Sequence, residues 1–350
     1  MKEIHIGGQA VLEGVMMKGP DSYALSVRKP DHEIEVTVTE YNSFGSKCAL
    51  FRIPIIRGVV NFIESLYIGV GTLMKSADYD DSDEKETEKW IEEHQKKADE
   101  FRSAGNVKKA EKLQKKVDKE KESLRKYREE DKNNKDKESS SGYLVVTLII
   151  SLAFAIGIFM LLPTFVAGLL YKITDNSLIV NLAEGLLRMA IFIAYVWLIS
   201  KMEEINRTFM YHGAEHKTIN CMEAGDELTP ENVMKHTRFH RRCGTSFLFL
   251  VMFISIILFM FIRTKVMWLR LLSRLLLIPV IAGLSYEVIR YAGSHESKFA
   301  YILSQPGFWV QRLTTREPDL EMCEVAIKSV EAVIDWREYI ECVRNNSFEK

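Results

Sequence analysis

With 350 residues, 47% hydrophobic and 27% charged side chains and a formal charge of −1, the chain has room for more than one structural unit. The near-zero charge gives no global case for nucleic-acid binding. Five scattered cysteines with no Cys-x-x-Cys pair exclude a disulfide framework and fit thiols in a reducing compartment. The averages hide a division, because residues 78–141 are nearly all charged or polar while 143–200 and 246–289 are mostly apolar. The opening MKEIHIGGQA has no apolar stretch of the kind a cleavable signal needs, so the chain is expected to begin in the cytoplasm.

Residues 1–77 form the first segment. The glycines of 1–20 follow no phosphate-loop spacing and read as a packed, irregular lead into a sheet rather than a site-lining loop. Ser22 to Arg28 and Glu33 to Thr39 alternate with period two, which predicts a β-hairpin with one buried face. Pro54 is placed to start a helix. From Ile55 to Met74 the helix is largely apolar, with Arg57, Asn61, Glu64 and Ser65 on one polar stripe. Its length would allow a membrane crossing. The stripe favours an amphipathic helix lying on or partly in the bilayer.

Residues 78–141 are expected to be two charged helices joined at 104–106, with Glu and Lys at i,i+4 spacing. Trp90, Phe101, Leu113 and Leu124 are too few for a substantial core, so the segment reads as an exposed helical hairpin or a partly disordered insertion. It is expected to offer a surface to a protein partner, and His94 is expected to be simply exposed.

Apolar segments at 143–170 and 182–200 (within 142–200), and at 246–262 and 269–289 (within 246–290), meet the length needed to span a bilayer, about 17–25 residues. Pro163 is expected to kink the first. Arg188, Arg270 and Arg274 lie near segment starts and are expected to snorkel outward, with Glu184 and Arg188 pairing at the interface. The 171–181 connection has one Lys and no Arg, whereas 201–245 is rich in both, which puts the latter on the cytoplasmic side. Four spans then leave both termini in that compartment. In residues 291–350, Asp319 to Val343 has helical periodicity and predicts an amphipathic helix packed on the cytoplasmic unit or the membrane surface.

The polar segment 201–245 carries the chemistry. Tyr211 to Ser246 holds four of the eight histidines and the pattern His-x-x-Glu-His at His212, Glu215 and His216. On a helix the two histidines share one face and can hold one metal ion. The glutamate between them can take a proton from water polarised by the metal, as in the inverted zincin motif. The third ligand is open, with His240 and Cys243, spaced His-x-x-Cys, ahead of His236 and Glu223. Three protein ligands would suit catalysis, and a closed set of His212, His216, His240 and Cys243 would suit structure. The bland reading has the histidines capping helices or binding lipid phosphate beside Arg238, Arg241 and Arg242. His5, His32 and His295 are isolated among polar neighbours and read as ordinary surface residues.

GGQAVLEGVMMKGP (7–20), PIIRGVVNFIESLYIG (54–69), YHGAEHKTINCME (211–223), HRRCGTSF (240–247), LLLIPVIAGLSYEVIR (275–290) and PGFWVQRLTTREPD (306–319) carry a resemblance. The chain resembles the YqhQ-like (DUF1385) family of bacterial membrane proteins over nearly its whole length except 78–141. The resemblance implies a multi-pass protein of the bacterial plasma membrane. Some family members are labelled predicted metal-dependent enzymes. It places the family's polar motif on His212, Glu215, His216, His240 and Cys243, with His236 outside it. Arg241 stands where the family often has proline, which should leave the site intact, and the 78–141 insertion looks longer than usual.

The resulting expectation is an α+β membrane protein of about four transmembrane helices, with a cytoplasmic unit built from the N-terminal hairpin, the 201–245 loop and the C-terminal helix. It would be a metal-dependent hydrolase of unspecified substrate. Zinc is the expected ion, at His212 and His216 with His240 or Cys243, and Glu215 is general base or hydrogen-bonds around the ligands. The rival is a membrane scaffold or assembly factor with a structural metal or none. A small-solute transporter is a third, weaker reading, because the chain lacks repeated halves.

Overall fold

A computed structural model describes residues 6–79, 82–103, 107–134, 141–264, 266–295, 297–345 and 347–348. The chain divides into two compact units, residues 80–157 and the remainder. The smaller unit holds α3 (Ser82–Ser103), α4 (Val107–Asn134) and α5 (Ser141–Ile156). The two charged helices expected from the sequence are α3 and α4, and their junction at 104–106 lies outside the described residues. Gln95 and Gln114 exchange amide hydrogen bonds of 2.9 and 3.1 Å between them. His94 is not simply exposed, since its ring stacks on Trp90 at a centroid distance of 4.0 Å.

The larger unit starts with a four-stranded antiparallel sheet in the order β1 (Gly7–Val11), β2 (Gly14–Lys18), β3 (Ser22–Arg28), β4 (Ile34–Glu40). The lead-in is therefore regular. Leu12 and Glu13 make a tight turn, with Glu13 at a φ of 48°, and Val11 pairs with Gly14. Side chains alternate across the sheet. Val15 and Met17 of β2 face a core shared with the C-terminal helices, while Met16 faces a second core with Leu25, Val27 and Ile68. Strand β3 thus buries both faces, Ala24 to Val27 being all buried, where the alternation had suggested one.

Two short turns, α1 (Phe44–Lys47) and a 3-10 segment (Ala49–Arg52), lead to α2 (Ile56–Ala77). This helix is inside-out. Its polar stripe faces the protein: the Arg57 Nε donates to Glu287 at 2.7 Å, Asn61 to the Tyr286 hydroxyl at 2.7 Å, and Glu64 accepts the Phe44 N–H at 2.8 Å. Ile63, Leu66, Tyr67, Val70, Leu73 and Met74 face outward. That is the pattern of a helix lying against lipid.

Three described helical stretches are long and apolar enough to cross a membrane: Ile149–Lys172, Ser177–Ile199 and Trp268–Ser294. Their apolar side chains are largely exposed, as a lipid-facing surface requires. The first is interrupted by a π-type turn, Gly157–Leu161, just before α6 (Leu162–Gly168) and a 3-10 turn (Leu169–Lys172). Pro163, which has no N–H to donate, falls in the first turn of α6, directly after this wider turn. Next come α7 (Ser177–Ile199), α8 (Glu203–Glu223), α9 (Pro230–Val233), α10 (Gly244–Met260) and α11 (Met267–Ser294). The apolar α10 has 17 residues and is shorter than each of the three stretches long enough to cross.

The arginines of these helices do not snorkel. Arg270 and Arg274 are each 1% exposed and turn inward onto Glu184, which is equally buried. Glu184 also takes Arg188 at 3.1 Å. The carboxylate sits on a neighbouring helix, out of reach of any reading along one segment.

The C-terminal part is α12 (Lys298–Thr314), α13 (Leu320–Glu331) and α14 (Trp336–Asn345). The single helix expected over 319–343 is broken at 332–335, so that Trp336, Tyr339 and Ile340 turn back onto the same core. Asp319 caps α13 by accepting the Met322 N–H at 2.7 Å. On α13, Ser329 donates to the Val15 and Ala24 carbonyls at 3.1 and 3.0 Å, fastening the helix to the sheet. The sheet thus lies between α2 on one side and α8, α13 and α14 on the other.

Candidate metal centre

Helix α8 carries His212, His216 and Asn220 at i,i+4 spacing, which lines them along one face. The neighbouring Lys217 is buried, and its ammonium donates to the Met234 and His236 carbonyls at 2.9 and 2.8 Å. Asn220 donates to the Thr237 and Phe239 carbonyls at 2.7 and 3.1 Å, and His216 Nδ1 meets the Arg238 carbonyl at 2.6 Å. These bonds lay residues 234–239 along the helix. The chain then reaches Cys243, which caps α10 and accepts from the Thr245 N–H at 3.4 Å. Its sulfur comes within 3.2 Å of His212 Nε2. Across the helix, Gly213 lies so close to the 314–318 segment that a Cβ there would stand 2.0 Å from the Arg316 carbonyl oxygen. This approach puts the Thr314 carbonyl 2.8 Å from His212 Nδ1.

The outcome is chemically specific. A carbonyl only accepts, so each Nδ1 must carry the proton when the ring is neutral, leaving Nε2 with its lone pair. Metal-binding histidines are held in this way. The two rings lie 4.4 Å apart at 61°, and the ligand atoms of His212, His216 and Cys243 all fall within 4.8 Å of one another.

Burial pushes the Cys243 thiol up, but His212 and His216 beside it outweigh that and hold it well below the ordinary thiol value. Its place at a helix N-terminus acts in the same direction. For His212, burial alone would lower the pKa. The Cys243 sulfur, Glu215 and the Thr314 carbonyl overcome this and raise it to about 9. Glu215 is 4% exposed, and its carboxyl is raised by burial against the pull of His216 and His212. Its Oε2 is buried with no hydrogen-bond partner among the described residues. Gly8 of β1 closes over this carboxylate: a Cβ there would stand 2.7 Å from Oε1.

His240 sits beside this trio rather than in it. Its ring is 5.5 Å from that of His216, and its Nε2 lies 3.7 Å from Glu223, which also pairs closely with Arg242. Burial lowers the His240 pKa, whereas burial would raise that of Glu223 and is outweighed by His240 and Arg242, which hold the carboxyl down at about 2. His236 points away and pairs with Asp226 at 3.0 Å. His32 occupies the turn between β3 and β4, His295 stacks on Tyr291 and His5 lies outside the described residues.

Reading the chain in segments missed the supports. Fully buried Gln311 on α12 accepts from the His240 N–H at 2.9 Å and donates to the His240 carbonyl at 2.8 Å and Ser246 at 2.7 Å. A glutamine inside the quoted PGFWVQRLTTREPD block was the available signal for Gln311. For Gly8 it was the Gly-Gly pair at the start of a strand.

These features define a class: a helix-rich protein with membrane-fitting apolar helices, a small sheet and a His-His-Cys group in which His216 and Cys243 are buried and His212 is half-buried. The chain belongs to the DUF1385 family, whose model, described as a protein of unknown function, matches residues 53–336. It is similar to "Uncharacterized protein YqhQ" of Bacillus subtilis (strain 168), with 31% identity over 326 residues, covering 92% of this chain and 90% of that protein. No solved structure matches.

Proposed function

We propose that the chain is a four-span membrane protein that holds a zinc ion on its cytoplasmic face through His212, His216 and Cys243, with Glu215 acting beside it in a hydrolytic reaction. The sheet, α8, α13 and α14 share one core, so the chain segments that reach them lie on one side of a bilayer. Between α8 and α13 the chain must then cross an even number of times, which asks α10 to cross although it is short. Its 17 residues reach about 25 Å at 1.5 Å per residue, close to a hydrocarbon core of about 30 Å. The Lys- and Arg-rich 201–245 segment supports the cytoplasmic assignment.

The metal reading rests on one observation: both histidines spend Nδ1 on a backbone carbonyl, His212 brings Nε2 to the Cys243 sulfur, and the ligand atoms of all three residues lie within 4.8 Å of one another. Two imidazoles and a thiolate are a zinc donor set, and three protein ligands are the number found in catalytic sites. Zinc would supply Lewis acidity. Glu215, with a raised pKa and an unpaired oxygen, would take and return a proton. The burial of Glu215 and His216 favours a second reading, in which the ion only locks residues 234–243 onto α8 in a membrane scaffold.

Metal analysis of the purified protein is the first test, with one zinc per chain expected and no stoichiometric metal defeating both metal readings. With cobalt in place of zinc, Cys243→Ser should remove the thiolate-to-metal charge-transfer absorption. Glu215→Gln then separates the readings. Loss of biological function with metal and fold retained supports the enzyme, and full function supports the scaffold.

A further inference from the structure

We infer that the arginine cluster around Glu184 is a binding site for an oxyanion of the phosphate type. Among the described residues, Glu184 is the one carboxylate in contact with the guanidinium groups of Arg188, Arg270 and Arg274. Arginine keeps its charge under all ordinary conditions, so the group carries two positive charges in excess. The carboxylate has no capacity left. Its Oε1 receives Thr164 at 2.7 Å, Arg188 at 3.1 Å and a close contact from Arg274, and its Oε2 receives Arg270 at 2.7 Å and Arg274 at 2.8 Å. Asn181 cannot accept more, because its oxygen already takes Arg274 at 3.2 Å and Arg270 at 3.4 Å.

Donors are left over. The Nε of each arginine is buried without a hydrogen-bond partner among the described residues, and so is the hydroxyl of Tyr171, whose ring lies 5.3 Å from the Arg270 guanidinium. A set of surplus donors with surplus positive charge selects a ligand made of acceptors with negative charge. Phosphate oxygens fit this best, because arginine binds them through several parallel charge-assisted bonds.

The cluster lies at the end of the bundle away from the His-His-Cys group. Asn181 also donates to the Phe259 and Ile262 carbonyls at the far end of α10, at 2.9 and 2.8 Å. Arg270 and Arg274 are the fourth and eighth residues of α11, about 5 and 10 Å from its start at 1.5 Å per residue. In a protein whose apolar helices cross a bilayer, this is the depth a lipid headgroup can reach. The phosphate source is therefore an anionic phospholipid or the free ion, and the lipid source rests on the four-span reading above.

The test uses the full chain in a neutral detergent, followed by its thermal unfolding midpoint. A ligand that binds only the folded state raises the midpoint. Phosphatidylglycerol is expected to raise it, and phosphatidylcholine at equal concentration is not. A rise with inorganic phosphate as well assigns the site to the free ion, and a rise with the lipid alone assigns it to the headgroup. Arg188→Gln, which removes one peripheral cation, should weaken the half-saturating concentration about tenfold. Glu184→Gln gives a second reading should Arg188→Gln not fold, since it raises the excess charge to three and should enlarge the anion-dependent rise. The inference falls if neither phosphate nor phosphatidylglycerol raises the midpoint. It falls equally if Arg188→Gln responds as the native chain does, or if Glu184→Gln responds less.

Discussion

Two largely buried polar clusters of the larger unit are opposites. Around His212, His216 and Cys243 the donors are spent on backbone carbonyls, so what converges is a set of acceptors. Around Glu184 the acceptors are spent, so what remains is a set of donors. Both clusters are desolvated, and burying unmatched polar groups costs free energy. The comparison teaches that the residue types alone do not decide what such a cluster binds. Whatever ties down the far end of each side chain decides it.

The sharpest way to break the comparison is to delete the one carboxylate that the three arginines share. Glu184→Ala should cost about 3–5 kcal/mol of stability, the usual penalty for removing one partner of a buried ion pair. Denaturant unfolding in detergent measures it. Should the loss stay near zero, the arginines are solvated after all and the donor-rich description fails.

Gly213→Ala comes next, because it acts on the other cluster through the backbone. The new Cβ would meet the Arg316 carbonyl oxygen at 2.0 Å, and a backbone atom cannot swing aside as a side-chain tip can. Overpacking of this kind costs about 1–3 kcal/mol. The shift should also carry Thr314 away from His212, so metal content should fall with stability. Gly8→Ala is the contrast. The three atoms nearest its Cβ all belong to the Glu215 side chain, so metal content should hold while the carboxylate moves. If Gly8→Ala loses metal and Gly213→Ala keeps it, the account of how the histidines are held is wrong.

Sequence alone went far where periodicity and spacing carry the information. The alternation of SYALSVR predicted β3, the charged repeats predicted α3 and α4, and His-x-x-Glu-His placed two imidazoles on one helical face. It stopped where a partner is distant in the chain. Arg270 and Arg274 read as snorkelling because Glu184 lies about 90 residues away, at sequence separations of 86 and 90. His240 and Cys243 stood equal as third ligand. What separates them is the bonding of Gln311 and Glu223 around His240, and neither can be placed from spacing. The break in the helix over 319–343 was hidden for the same reason, since Trp336 packs on a core that the local pattern does not describe.

Titration sharpens the comparison for the metal site. In the metal-free protein the His212 pKa is raised to about 9. A raised pKa means that the proton favours the fold, fully below the unfolded value near 6.5 and no longer once pH passes about 9. A metal must displace that proton from Nε2. Zinc affinity should therefore rise with pH through this window, about tenfold per pH unit if one proton leaves, and level off above it. Competition with a chelator across pH 6 to 10 measures the slope. A flat profile would mean that His212 is not a ligand.

The smallest effect is expected at Arg241, between His240 and Cys243. Proline needs a residue whose N–H is not bonded, a φ near −65° and an extended predecessor. The Arg241 N–H makes no hydrogen bond among the described residues, and His240 lies outside any helix. Among the described residues its guanidinium reaches the His295 carbonyl, at 3.4 Å. Arg241→Pro should thus change stability by no more than about 0.5 kcal/mol, the range of surface substitutions away from special features. Zinc affinity should stay unchanged, because Gln311 holds His240 through its own backbone and Cys243 is fixed by the first turn of α10. A marked loss of metal in this variant would show instead that residues 240–243 have no slack. The thiolate would then be positioned by the loop as a whole, rather than by its two anchored ends.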